Sequence, residues 1–78
     1  MKKVSINTTN GGTFKDIKTI NHKQTDTISD AYDVVRIIES EKNIRYKNVI
    51  VVEGELDNKY YTACIPIRNI CSIIVMDY

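Results

Sequence analysis

The chain has 78 residues, of which 42% are hydrophobic and 27% charged, and its formal net charge is +1. This length suits one domain and is too short for two, and the composition is that of a globular protein. A net charge this small excludes a strong general attraction to nucleic acid or to anionic membranes. We therefore expect a single domain over residues 1–78.

Isoleucine dominates the apolar residues, with thirteen isoleucines against a single leucine, Leu56. β-Branched side chains fit the pleated surface of a sheet, so this bias favours strands. The excess of isoleucine, lysine and asparagine is also typical of AT-rich coding sequence, which suggests a low-GC bacterium, or a phage or other mobile element of one.

Two strands are predicted in the first quarter of the chain. Residues 3–7 alternate apolar and polar side chains, and Asn10-Gly11 is a strong hairpin signal because both residues tolerate positive φ. The second strand should cover Thr13–Ile20. Its apolar residues are spaced by three rather than two, which predicts a bulge or a stretch of turn or helix: Phe14, Ile17 and Ile20.

The middle of the chain carries one helix signal. Residues 21–25 are wholly polar and are expected to form a loop. An apolar stripe at helical period follows, formed by Ala31, Val34, Val35 and Ile38. Thr27 or Ser29 can cap its start, where Asp30 and Asp33 suit the helix dipole, and the helix should end near residues 40–42 with Asn43 as a stop.

Three further strands are predicted after the helix. Val49–Leu56 begins with four apolar residues in a row, which indicates a strand covered on both faces. Asp57-Asn58 should form a turn into a strand over Lys59–Ile67, with Pro66 at a sheet edge or strand end. After a second turn at Arg68-Asn69, the last strand should run over Ile70–Met76. The expected fold is α+β, a mostly antiparallel five-stranded sheet in the order β-β-α-β-β-β whose last three strands form a meander. The sheet can curl towards a small barrel, and one helix packs on it.

No catalytic group, metal site or cofactor is predicted. His22 lies alone in a polar loop, and Cys64 and Cys71 lie in apolar strands without metal-ligand spacing, so we expect buried, unpaired thiols. Glu53 and Glu55 share a strand face, but charged side chains at a strand end usually meet water. We expect a protein that is not an enzyme.

Basic and aromatic residues cluster in two segments, residues 45–47 and 59–61. The proposed strand pairing places the second segment near the Asp57-Asn58 turn, away from the first. Arg68 should lie at the same end as the first segment. The candidate binding residues are therefore Arg45, Tyr46, Lys47 and Arg68, because arginine beside tyrosine can hold a phosphate and stack a base.

The last strand carries a second candidate surface. It is apolar almost throughout, and one helix can cover only one face of a sheet. The other face is buried either by closure of the sheet or by a second molecule. The candidate interface residues are Ile70, Ile74 and Met76.

The sequence as a whole predicts a cytoplasmic, non-catalytic binding module that acts through a protein partner or through self-association into a homo-oligomer. Its Lys2-Lys3 start leads directly into polar residues without the apolar stretch of a signal peptide, and its longest apolar run is too short for a membrane span. An accessory or inhibitor protein of a phage or mobile element fits this description. The alternative is a small barrel that binds nucleic acid or a nucleotide through a basic and aromatic rim.

Overall fold

The computed structural model of the chain describes residues 2–9, 12–41 and 48–77. These residues form one helix and six strands in a single antiparallel sheet. The strands are β1 (Lys2–Thr8), β2 (Thr13–Ile20), β3 (Lys23–Gln24), β4 (Val49–Leu56), β5 (Lys59–Pro66) and β6 (Ile70–Asp77), and the helix is α1 (Ala31–Glu41). The α+β class and the antiparallel sheet are confirmed. The sheet has a sixth, two-residue strand, β3, where a loop was predicted.

The strand order is β5-β4-β2-β1-β6, with β3 paired to β2 outside this path. The predicted meander of the last three strands is wrong, because β6 pairs with β1 and not with β5. A short 3-10 turn, Ile67–Asn69, carries the chain from one edge of the sheet to the other. Within the described residues β5 and β6 do not pair, so the sheet is not closed into a barrel.

The three-residue spacing in β2 results from two bulges. In the pairing of β1 with β2, Val4 lies opposite Ile17 and Ile6 lies opposite Phe14. An advance of two residues along β1 therefore corresponds to three residues along β2. Opposite β4, the register shifts again between Ile17 and Thr19. Each bulge adds one residue, so a side chain three positions on returns to the same face. The bulge interpretation is therefore confirmed, and Asp16 in the first bulge has a φ of 51°.

One face of the sheet, the inner face, carries the hydrophobic core. The buried apolar side chains of this core are Val4, Ile6, Ile17, Ile20, Ile28, Val34, Ile38, Ile50, Val52 and Ile65. In β4 only alternate residues, Ile50 and Val52, are fully buried, whereas Val49 and Val51 are half-buried. The expectation that β4 is covered on both faces is therefore only partly met.

The helix packs its predicted stripe against this core, with Val34 and Ile38 buried and Val35 at 42% exposure. Its cap is Asp30 rather than Thr27 or Ser29, since Asp30 Oδ1 accepts a hydrogen bond from the Asp33 N–H at 3.2 Å. The predicted stop at Asn43 lies outside the described residues. None of the described helical residues form a helix long and apolar enough to cross a membrane.

The segment after β2 is polar in sequence but not a loose loop. Asn21 and His22 both have positive φ and form a tight turn into β3. Asn21 is only 2% exposed. Its N–H donates to the Val51 carbonyl at 2.7 Å, and its Oδ1 accepts from the Val51 N–H at 2.9 Å. The Asn21 Oδ1 thus continues the β2–β4 pairing by one residue, whereas its buried Nδ2 has no hydrogen-bond partner among the described residues.

Candidate functional site

The predicted basic and aromatic site is only partly visible. Arg45, Tyr46 and Lys47 lie outside the described residues, so their grouping with Arg68 stays a prediction. Arg68 is exposed in the 3-10 turn after β5 and lines a cavity of about 550 Å³ with Asn48, Val49, Pro66 and Ile67.

The three predicted interface residues do not share one face. The pairing of β6 with β1 shifts between Asn7 and Thr8, which leaves Cys71 as an extra residue in β6. This bulge turns Ile70 towards the core, where it packs together with Ile73 and Val75. Ile74 and Met76 remain exposed on the opposite, outer face, at 41% and 52%.

The cysteines and the histidine also differ from expectation. Cys64 and Cys71 are unpaired, as predicted, but both are exposed rather than buried, because they lie on the outer face of β5 and at the β6 bulge.

His22 lies close to Glu53, with 3.7 Å between His22 Nδ1 and Glu53 Oε1. The same carboxylate oxygen accepts a hydrogen bond from the Thr19 hydroxyl at 2.7 Å. The hydroxyl is thus directed to a carboxylate and not to the imidazole, which is not the arrangement of a nucleophile and its base. The described residues contain no cluster of metal-ligating side chains.

A concave surface lies beside the turn between β4 and β5. Asp57 and Asn58 both have positive φ, 51° and 65°, as a two-residue type I′ turn requires. The pairing that follows is regular from Leu56 opposite Lys59 to Val49 opposite Pro66. This turn therefore fixes which side chains of the two strands meet on the inner face.

Tyr61 spans three strands at this place. A Cβ on Gly54, the residue opposite it in β4, would lie 2.5 Å from the Tyr61 hydroxyl oxygen and 2.6–2.8 Å from two ring carbons, so only glycine leaves room for this side chain. The Tyr61 hydroxyl reaches β2 and donates to the Lys15 carbonyl at 2.6 Å, directly before the bulge at Asp16. Burial raises the pKa of the Tyr61 hydroxyl, and the negative charge of Asp16 adds to the shift.

Phe14 completes an aromatic floor next to Tyr61. The two ring centroids are 6.2 Å apart, with the planes tilted by 37°. A cleft of about 610 Å³ opens over this floor. We call it the turn cleft. It is lined by Thr13, Phe14, Lys15, Leu56, Asp57, Lys59, Tyr60, Tyr61, Thr62 and Ala63.

The rim of the turn cleft is apolar and carries two lysines and one carboxylate, that of Asp57. Tyr60 and Leu56 are 82% and 54% exposed, so the apolar part of the rim is open to solvent. Lys15 and Lys59 lie on the same rim, and neither has a carboxylate within salt-bridge distance among the described residues. The cleft can therefore receive an apolar group and place a negative charge beside it.

Comparison with known proteins adds no assignment. No protein-family model, no curated protein and no solved structure matches the chain. The candidate site therefore depends on the geometry alone.

The sequence contains part of the information that defines the turn cleft. The segment Lys59-Tyr60-Tyr61 is basic and aromatic, and the prediction that it lies near the Asp57-Asn58 turn is confirmed. The contribution of Phe14 and Lys15 was missed, because they are more than forty residues away and reach the cleft only through the sheet. Gly54, a lone glycine inside a strand pattern, was the available sign that another group approaches the backbone closely.

Proposed function

We propose that the chain is a non-catalytic binding module that holds a segment of a partner protein in the turn cleft. The observation that carries this proposal is an aromatic and aliphatic cleft bordered by Lys15 and Lys59, neither of which has a carboxylate of the described residues within salt-bridge distance. Pockets of several hundred Å³ with apolar walls and a few polar groups are typical of ligand sites. The best ligand is a peptide segment with one large apolar side chain and a neighbouring aspartate or glutamate.

The expected affinity is low. Burying one large apolar side chain contributes about 1.5–3 kcal/mol, and each exposed ion pair adds about 0.2–1 kcal/mol. The loss of translational and rotational freedom opposes these terms. Even before that loss these terms sum to only about 2–5 kcal/mol, so the side-chain contacts alone should give a Kd of about 0.2 mM or weaker, as in transient contacts.

Nucleic acid is the rival ligand, since aromatic rings and lysines also bind single strands. Two features favour the peptide. One side of the Tyr61 ring lies on Gly54 and its hydroxyl is bound to Lys15, so this ring cannot stack freely on a base. The net charge of +1 also provides few phosphate contacts.

The test is selection of a displayed library of random ten-residue peptides on the purified protein. We expect enrichment of peptides that combine a large apolar residue with an acidic one. Binding should be lost with the double variant Lys15→Glu and Lys59→Glu and kept with Lys23→Glu, a control that changes an exposed lysine in β3. The absence of enrichment over the double variant would refute the proposal.

A labelled ten-nucleotide oligo-dT strand serves as the second probe. If this strand binds more tightly than the selected peptides, and if the same double variant abolishes its binding, the ligand is nucleic acid and the peptide proposal is wrong.

Self-association through β6 is a second candidate function, favoured by the exposure of Ile74 and Met76. Both lie on the outer face of an edge strand whose residues 70–76 carry no charge. Such an edge has none of the lysines and prolines that usually protect a strand from pairing with a copy of itself. Sedimentation velocity of the protein over a range of concentrations tests whether a dimer forms.

A further inference from the structure

The turn cleft extends from the inner face of the sheet, where Phe14 and Tyr61 form its floor, to the open edge of β5. Five consecutive residues of β5, Lys59 to Ala63, line the cleft. Successive side chains of a strand point to opposite faces, so a cleft on one face would contact only alternate residues. A cleft that contacts all five must also contact the edge between the two faces.

The backbone groups on this edge can be assigned from the turn. In a type I′ turn the first residue accepts a hydrogen bond from the fourth, so Leu56 and Lys59 form a hydrogen-bonded pair. Hydrogen-bonded and non-hydrogen-bonded pairs then alternate along an antiparallel ladder. It follows that Tyr60, Thr62 and Cys64 direct their N–H and C=O groups away from β4, to the open edge.

Two further observations agree with this assignment. Among the described residues no strand pairs with the second edge of β5, and no backbone group outside β4 bonds to these three residues. Pro66 occupies the next position of the same alternating set, where a residue without an N–H loses no hydrogen bond to β4. The proline also limits the open edge to the five residues from Tyr60 to Cys64.

We propose that the partner segment binds as an added strand along this edge, with backbone hydrogen bonds to Tyr60, Thr62 and Cys64. This inference rests on the proposed function and specifies its binding mode and its ligand class, an extended acidic segment of another protein. Its inward side chain enters the turn cleft over Phe14 and Tyr61. Its carboxylate lies near the turn, beside Lys15 and Lys59, which supply the complementary charge.

The addition of a strand explains how a small cleft can select a protein segment. Backbone pairing supplies affinity independent of sequence, whereas the pocket and the two lysines select the side chains. A segment of about five residues is enough, since the edge offers three outward-facing residues. A longer partner strand gains nothing beyond Pro66.

The experiment uses a peptide enriched in the library selection described above, resynthesised with one N-methylated amide at a time. N-methylation removes a backbone donor while retaining the side chain. We expect binding to weaken by about tenfold or more at alternate positions within a five-residue stretch, and by less than about threefold at the positions between them. A flat profile across all positions would overturn strand addition and leave the peptide-binding function in place, whereas failure to enrich any peptide would refute the function itself.

Amide hydrogen exchange provides a second measurement on the protein. In the free protein the amides of Tyr60, Thr62 and Cys64 should exchange quickly, and those of Tyr61 and Ala63, which face β4, should exchange slowly. The bound peptide should slow exchange of the first set by about tenfold or more and leave the second set unchanged. If the first set is already slow without peptide, and faster on dilution, a second copy of the chain occupies the edge and the proposal is wrong.

Discussion

Gly54→Ala should destabilise the fold through its contact with Tyr61, and this effect should reverse when the tyrosine is absent. The added Cβ would lie 2.5–2.8 Å from atoms of the Tyr61 side chain, closer than van der Waals contact allows. The ring must therefore move, and its hydroxyl would then lose the 2.6 Å hydrogen bond to the Lys15 carbonyl.

The magnitude follows from three contributions. Loss of the hydrogen bond costs about 1 kcal/mol, and overpacking of the ring costs about 1–3 kcal/mol. Alanine offsets about 0.5–1 kcal/mol of this, because glycine inside a strand carries a larger loss of backbone entropy. The free energy of unfolding should fall by about 2 kcal/mol, and the melting temperature by roughly 10 °C for a domain of this size.

Urea denaturation of four proteins measures the effect: the wild type, Gly54→Ala, Tyr61→Ala and the double variant. In the Tyr61→Ala background the clash is removed, so Gly54→Ala should be neutral or stabilising by about 0.5 kcal/mol. The coupling energy of this cycle should therefore be about 2–3 kcal/mol. Equal destabilisation by Gly54→Ala in both backgrounds would refute the contact with Tyr61 as its cause.

Three further predictions concern other parts of the fold. Ile74→Glu should abolish any dimer seen by sedimentation velocity without unfolding the protein. The control Val35→Glu changes a side chain of matched exposure, 42% against 41% for Ile74, and should leave the dimer unchanged. Loss of the dimer in both variants would argue against β6 as the interface. The pKa of Asp33 is lowered, mainly by the hydrogen bond that its carboxylate accepts from the Ser29 N–H. The ionised Asp33 therefore stabilises the fold above the unfolded pKa of about 3.9, and this stabilisation is lost as the pH falls through the lower folded pKa. Asp33→Asn should therefore be less stable than the wild type at pH 7, and the difference should disappear in urea titrations at about pH 2; an unchanged difference would refute this cause. Asn21→Gly should lower the free energy of unfolding by about 1–3 kcal/mol, because the Val51 N–H loses its hydrogen-bond acceptor. Asn21→Ala should lower it by about 1–2 kcal/mol more, because φ at this position is 50°, which alanine tolerates poorly. Equal urea midpoints for the two variants would show that backbone conformation does not matter there.

Local patterns in the sequence predicted the elements well. The isoleucine-rich alternation marked the long strands, the 3.6-residue stripe marked α1, and the spacing of Phe14, Ile17 and Ile20 predicted a bulge. Each of these signals depends on neighbours a few residues away. These local patterns predict the elements because the backbone geometry of a strand or a helix sets the spacing at which side chains share a face.

The pairing of strands could not be obtained in this way. The predicted meander assumed that strands adjacent in sequence are adjacent in the sheet, whereas β6 crosses to β1 at the other edge. The bulge at Cys71 is equally invisible in the sequence of β6, because it arises from the register with β1. It moves Ile70 away from Ile74 and Met76 and so divides the predicted interface.

The sequence by itself determined the α+β class, the positions of the helix and of the long strands, the hairpin turn at Asp57-Asn58 and the unpaired state of the cysteines. Only the tertiary structure decided that Phe14 and Lys15 meet Tyr61 over Gly54, and that none of the described strands pairs with the second edge of β5. The reason is physical. Turns and periodicity are local properties of the chain, whereas a cleft between distant strands depends on register and curvature, which are set by the packing of the whole sheet.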